Sequence, residues 1–222
     1  TYVGTRGATT AAISAIDIAL WDIRGKVLGQ PIYQLLGGAV RDRIALYCHP
    51  YNPTSPEAIV SATREIVDAG FKAFKLDPML SNLHVEHTAY MDGEINAETE
   101  AKAIDILAAA REEAGSHIEI MIDAHGMYNV PSAVRLANKM ADYNIHWFEE
   151  PVPVESWKAL KQVREQVRVA ICVGERLHTR WEFVPIFENG LADFVMPDVT
   201  WTGGISELKK IATMEAGNEP QN

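Results

Sequence analysis

Cysteine is scarce in this chain: its 222 residues include two, Cys48 and Cys172. They stand far apart in apolar, strand-like runs, so they build no C-x-x-C metal or redox motif and read as reduced core thiols of a cytoplasmic protein. Positive charge is also short, with 20 Lys and Arg against 30 Asp and Glu for a formal charge of −10. No basic cluster interrupts that excess, which disfavours nucleic acid and anionic membrane surfaces as partners. No apolar run approaches the roughly 20 residues of a membrane-spanning helix. The opening TYVGTRGATT lacks a charged region followed by an apolar core, so neither a membrane span nor a signal peptide is expected. A glycine-rich phosphate loop is missing as well. Gly37 and Gly38 precede the first expected strand, and Gly203 and Gly204 form an isolated pair, which leaves a dinucleotide site a weak reading.

What is present is enough apolar material for a sizeable core, 47% of residues, arranged in a repeating order. Thr9 to Gly29 opens on a Thr-Thr cap and carries Ile13, Ile16, Ile18, Leu20, Ile23 and Val27 at helical spacing, closing at Gly29 before Pro31. That predicts one long amphipathic helix. After it, short apolar runs alternate with helical patterns. Ile44 to His49 is followed by Pro56 to Asp68, Phe71 to Leu76 by Ala97 to Ala114, and Ile118 to Ile122 by Pro131 to Tyr143. Ile145 to Phe148 is then followed by Glu155 to Gln166, Val169 to Val173 by Arg180 to Glu188, and Asp193 to Met196 by Ile205 to Met214. Six strand–helix units predict a parallel sheet with right-handed crossovers. The loop Ser81 to Asn96 is long for such a connection and reads as a candidate lid.

A parallel sheet either stays open, with its site at one switch point, or closes into a barrel, with its site at the ends of many strands. The strand ends here carry Lys75 and Asp77, then Asp123 and His125, then Glu149 and Glu150, then Glu175, then Asp198. Asp123 to Glu149 and Glu149 to Glu175 are both steps of 26 residues, and Asp198 follows after 23. Each step is about one unit, so carboxylates recur at the ends of neighbouring strands. Such a set repels itself in a partly dry site unless it is protonated or meets a cation. All-oxygen donors suit a hard divalent ion, Mg²⁺ before Mn²⁺ or Ca²⁺. Taken singly, each acid could instead cap the following helix or pair with Arg176, Arg180 or Lys75. Alternation along a strand puts Lys75 and Asp77 on one face and Asp123 and His125 on one face. His125 is the histidine best placed to act as an acid or base. His84 and His87 lie in a polar loop, His117 and His146 near strand starts, and His49 and His178 stay undecided.

The segments SAIDIALWDIRGKVLGQPIYQLLGG, FKAFKLDP, IDAHG, WFEEPV, VGERLHTRWEF and MPDVTWTGGISELKKIA together resemble the mandelate racemase branch of the enolase superfamily. Within it they are similar to acid-sugar dehydratases of the galactonate or gluconate type. The resemblance implies an α/β fold, a (β/α)₈ TIM-type barrel covered by a capping domain. About six of eight units are expected here, with residues 1–40 as the end of the capping domain and its linker helix and 41–222 as a partial barrel. It implies that Asp123, Glu149 and Glu175 hold Mg²⁺, which binds the substrate carboxylate and stabilises an enediolate. It gives His125 the role of general acid on the departing 3-hydroxyl. Asp198 matches the aspartate of a His–Asp dyad whose histidine lies after the seventh strand and is absent from this sequence. Where racemases of the branch carry K-x-K, this chain has Lys75-Leu-Asp77, which disfavours a lysine base and leaves Lys75 to balance charge or contact the substrate carboxylate. Asp77, Glu150 and Arg176 are expected against the substrate or behind the ligands. The expected partner is a small acid sugar, with neither nucleic acid nor membrane, in a homo-oligomer. The alternatives are a barrel fragment without catalysis that keeps its metal ligands, and a racemase or cycloisomerase on the same scaffold.

Overall fold

The computed structural model describes residues 6–50, 53–79 and 92–216. The candidate lid lies mostly outside the described residues. The chain divides into two compact units, one of Ala45–Cys172 with Leu191–Phe194, the other of Thr1–Ile44, Val173–Gly190 and Val195–Asn222.

In the first of these units, α3 (Pro56–Asp68), α4 (Ala97–Ala114), α5 (Val130–Met140) and α6 (Trp157–Arg164) alternate with strands. Each helix starts where a short polar side chain takes over an orphan backbone donor. Ser55 Oγ accepts from Ala58 N–H at 3.2 Å, Asn96 Oδ1 from Thr99 N–H at 2.8 Å, Asn129 Oδ1 from Ser132 N–H at 3.0 Å, and Ser156 Oγ from Ala159 N–H at 3.1 Å. Pro56 and Pro131 stand in the first turns of α3 and α5, where a missing N–H is harmless. A one-turn 3₁₀ segment, Ala141–Tyr143, completes the expected third helix.

The strands β1 (Ala73–Leu76), β2 (Glu119–Asp123), β3 (Phe148–Glu149), β4 (Ile171–Val173) and β5 (Phe194–Val195) lie side by side in sequence order. The β1–β2, β2–β3 and β3–β4 pairs are parallel. Helix faces and strands bury Ile59, Phe74, Ile106, Leu107, Ile120, Ile122, Leu136 and Phe148 completely. Among the described residues, no helix is long and apolar enough to cross a membrane.

Two expectations need correction. Ile44 to His49 was expected as a full strand, but it contributes a single parallel bridge, Cys48 to Phe74, through Lys75 N–H to the Cys48 carbonyl at 2.9 Å. Ile44 and Leu46 are 74% and 70% exposed, so the run has no apolar surface to lie against and its ladder does not extend. Cys48 is accordingly half-buried and Cys172 buried, both as free thiols.

The second correction concerns α1 (Ala8–Leu28) in the other unit, which also contains α2 (Ile32–Leu35), α7 (Thr179–Asn189) and α8 (Gly204–Ala216). The apolar stripe of α1 faces outward: Ile16, Leu20, Ile23 and Val27 are all more than half exposed. Its packed side is polar and small, with Thr10, Ser14 and Gly25 buried. Ser14 Oγ accepts from Gly203 N–H at 2.9 Å, and Asp17 Oδ2 accepts from Ser206 N–H at 2.9 Å. Trp21 Nε1 donates to Ser206 Oγ at 2.8 Å. Asp17 thus caps the N-terminus of α8 from a different helix, where a carboxylate meets both orphan donors and the positive end of the dipole. Gly204, at φ +85°, permits this approach, because an added Cβ would sit 2.5 Å from Asp17 Oδ2. Arg180 of α7 is bidentate to Glu207 of α8, at 2.8 and 2.9 Å.

Candidate metal and acid–base site

Register builds the site. Asp123, the last residue of β2, pairs directly with Glu149, the last residue of β3, and Lys75 of β1 pairs with Met121 two residues earlier on β2. Because side chains alternate, Lys75, Asp123 and Glu149 can share one face. Lys75 Nζ lies 2.9 Å from Asp123 Oδ2 and 2.5 Å from Glu149 Oε1. All three residues are nearly or fully buried. One ammonium between two carboxylates leaves an excess negative charge in a place where water cannot screen it.

The ionisation equilibria reflect that imbalance. Burial pushes the Glu149 carboxyl up, the charge of Asp123 pushes it further, and the opposing Lys75 charge and hydrogen bonds from Lys75 and Trp147 leave it at about 8. Burial also opposes ionisation of Asp123, but the charges of His125 and Lys75 and the hydrogen bonds from Lys75 and the His125 N–H outweigh it, so this group is lowered. Burial works against the Lys75 ammonium as well, yet the two carboxylates more than compensate and raise it. The pair therefore shares its burden unequally, with Glu149 the member that holds a proton more readily.

Immediately past each strand the backbone turns sharply. His125 has φ +52° and Glu150 has φ +43°, left-handed conformations that cost a residue with a Cβ roughly 1–2 kcal/mol. Local bonds hold both turns: His125 N–H donates to Asp123 Oδ1 at 3.0 Å, Gly126 N–H to the Glu150 carbonyl at 2.7 Å, and Glu150 N–H to the Cys172 carbonyl at 2.9 Å. The turn leaves His125 Nδ1 3.5 Å from Asp77 Oδ2 and 3.6 Å from Asp123 Oδ1. The imidazole is part-exposed beside two carboxylates, a placement suited to proton exchange. Glu150 is buried.

Glu175 follows β4 by two residues and is part-exposed, with Arg176 Nε 3.5 Å from its carboxylate. Asp123 and Glu149 set two buried carboxylates side by side within one unit, and Glu175 belongs to the other unit. The paired carboxylates fit a hard divalent cation: their donors are oxygens, and one lysine offsets only part of their charge. Asp198 is an exposed turn residue in the same unit as Glu175, where its carboxylate accepts from the N–H and hydroxyl of Thr200, both at 2.7 Å. Its carbonyl accepts from Trp201 and Thr202 N–H, shaping the turn into α8.

Two neighbours of the cluster escaped the sequence reading. Tyr47 presents its ring to Lys75 Nζ at 6.0 Å and to the Trp147 indole at 6.1 Å. Trp147 Nε1 donates to Glu149 Oε2 at 3.0 Å. The signal for Trp147 was available, since it stands two residues before Glu149 and strand alternation places both on one face.

The chain is similar to known proteins over most of its length. The profile of the enolase C-terminal domain-like family matches residues 58–218, and that of the mandelate racemase / muconate lactonizing enzyme N-terminal domain matches residues 2–37. A D-galactonate dehydratase family member of Streptomyces bingchenggensis is 34% identical over 93% of this chain and 54% of its own length. A D-gluconate/D-galactonate dehydratase of Picrophilus torridus is 32% identical over 96% of this chain and 53% of its own. The crystal structure of an enolase superfamily member from Salmonella Typhimurium superposes with a TM-score of 0.91 at 31% identity, covering 97% of this chain and 58% of that one. The chain spans about half the length of the curated relatives it matches.

Proposed function

The chain belongs to the mandelate racemase / muconate lactonizing enzyme branch of the enolase superfamily, and from that premise we propose that it is part of a Mg²⁺-dependent dehydratase of acid sugars. Residues 1–40 are the end of the capping domain and its linker, and 41–222 the catalytic barrel segment. Asp123, Glu149 and Glu175 hold the ion, which when bound supplies Lewis-acid stabilisation to the carboxylate side of the substrate.

The chain's own residues divide the remaining work. Lys75 sits between Asp123 and Glu149 and offsets part of their charge, and the orientation of His125 is set by the left-handed turn after β2 and by its N–H bond to Asp123. The α-proton of the aldonate leaves to a base, and the electron pair of that C–H bond forms a carbon–carbon double bond as the bond from C3 to its hydroxyl breaks. His125 supplies the proton that lets this hydroxyl depart as water, and the resulting enol becomes a 2-keto-3-deoxy acid. Asp77 lies against His125 and helps to hold its ring, while Glu150 and Arg176 support the ligands and the acid substrate. Asp198 orients the histidine base supplied by another part of the fold.

The observation that carries this reading is the pairing of Asp123 with Glu149 at adjacent strand ends with His125 two residues beyond. It is tested by incubating the intact protein with Mg²⁺ and a panel of aldonates and assaying 2-keto-3-deoxy products. His125→Asn should bind metal like the parent but lose elimination by 10²-fold or more, on the order of what a general acid contributes. Exchange of the α-proton without loss of water would instead assign racemase chemistry.

A further inference from the structure

We infer that Trp147 is a positioning residue for Glu149, fixing one oxygen of this carboxylate so that the group is aimed before any ion arrives. The inference rests on the metal-site reading above and extends it to a residue outside the ligand set.

Glu149 is fully buried, and its two oxygens have different partners. Oε1 takes the Lys75 ammonium, and Oε2 takes the indole N–H at 3.0 Å. These partners differ in kind. Lys75 is shared with Asp123, and its charge competes directly with that of an incoming cation. The indole is neutral and a donor only, so it can neither accept a proton from Glu149 nor take the place of a metal.

The indole is itself held in place. Its ring meets Tyr47 edge-on at 6.1 Å, His146 at 5.1 Å and Phe194 at 5.2 Å. Its backbone carbonyl accepts from Ile122 N–H at 3.0 Å, tying it to β2 one residue before Asp123. A ring packed on three sides, immediately before the ligand's strand, thus holds one edge of the carboxylate, and the other edge remains for charge. Groups that hold metal ligands in this way typically change metal affinity 10- to 100-fold when removed.

The test measures Mn²⁺ dissociation constants of the intact protein by electron paramagnetic resonance of the free ion. Trp147→Phe retains a ring and loses the donor, and Trp147→His retains a ring with an N–H. Circular dichroism of each variant without metal confirms folding. The expected result is a 10- to 100-fold weaker Mn²⁺ affinity for Trp147→Phe, with Trp147→His within about threefold of the parent. Parent-like affinity in Trp147→Phe overturns the inference while leaving the metal site standing. Equal losses in both variants assign the effect to ring packing and also overturn it. Should Trp147→Phe fail to fold, the histidine variant decides alone, by binding like the parent or losing affinity. If the parent itself binds no Mn²⁺, the metal-site reading fails and the inference with it.

Discussion

Asp123 and Glu149 are direct register partners at the ends of adjacent parallel strands, both buried, with Lys75 Nζ as the cation between them. Two buried like charges in register would destabilise the sheet if left alone, so the role of Lys75 can be measured. Lys75→Met removes one partner of a buried network and should cost the metal-free protein about 3–5 kcal/mol. The same change removes a cation that competes for the carboxylates, so the melting temperature should respond more strongly to Mg²⁺ than the parent's does. Thermal unfolding with and without Mg²⁺ gives both quantities.

The raised carboxyl of Glu149 has a definite pH signature. A carboxyl whose pKa rises from 4.5 unfolded to about 8 folded binds more protons in the native state across that window. Stability of the metal-free protein should therefore fall as pH rises from about 4.5 to about 8. Asp123, shifted down, acts oppositely, adding stability above its ordinary value of 3.8 that is lost as pH falls below it. Lys75, shifted up, contributes below its ordinary value of 10.5 and loses that contribution above it. Denaturant titrations at pH 5, 6, 7 and 8 in chelator should show the decline, and Glu149→Gln should flatten it.

Metal binding should carry the reverse dependence. An ion must displace the proton from Glu149, so the apparent affinity should rise by roughly tenfold per pH unit up to about 8 and then level off. Calorimetric titration in buffers of different ionisation enthalpy should detect close to one proton released per ion at pH 7.

In the α1–α8 unit, Gly204→Ala should destabilise by an amount on the order of 2–5 kcal/mol, combining a left-handed backbone with a Cβ forced onto Asp17. Asp17→Asn keeps an acceptor for Ser206 N–H and should cost less, about 1 kcal/mol, because only charge toward the helix dipole is lost. Urea unfolding of the three proteins separates these values.

Much of the fold was legible because its signals are periodic. Alternating runs marked β1 to β5 and their helices, and the 26-residue steps between Asp123, Glu149 and Glu175 follow the spacing of the strand–helix units. Less legible was which way α1 faces. Periodicity finds an apolar stripe such as Ile16, Leu20 and Ile23, but it cannot tell that the contacts will be made by Ser14, Asp17 and Trp21 on another side. Polar caps between helices have no period. The run at Ile44 to His49 had strand composition, yet pairing depends on what lies alongside, and it makes one bridge. At the site, residue type singled out the carboxylates and His125 as candidates. The spacing of Trp147 from Glu149 was there to be read, but the left-handed turns at His125 and Glu150 depend on where the backbone points, which no spacing encodes.

The central claim is that Asp123, Glu149 and Glu175 hold one divalent ion, and Mn²⁺ titration of the intact protein beside Asp123→Asn, Glu149→Gln and Glu175→Gln tests it most directly. The account predicts one site per chain in the parent and a loss of at least 10²-fold in affinity for each variant, roughly the effect of removing a charged ligand from a hard-cation site. Parent-like Mn²⁺ binding in Glu175→Gln, or no site in the parent, would contradict it.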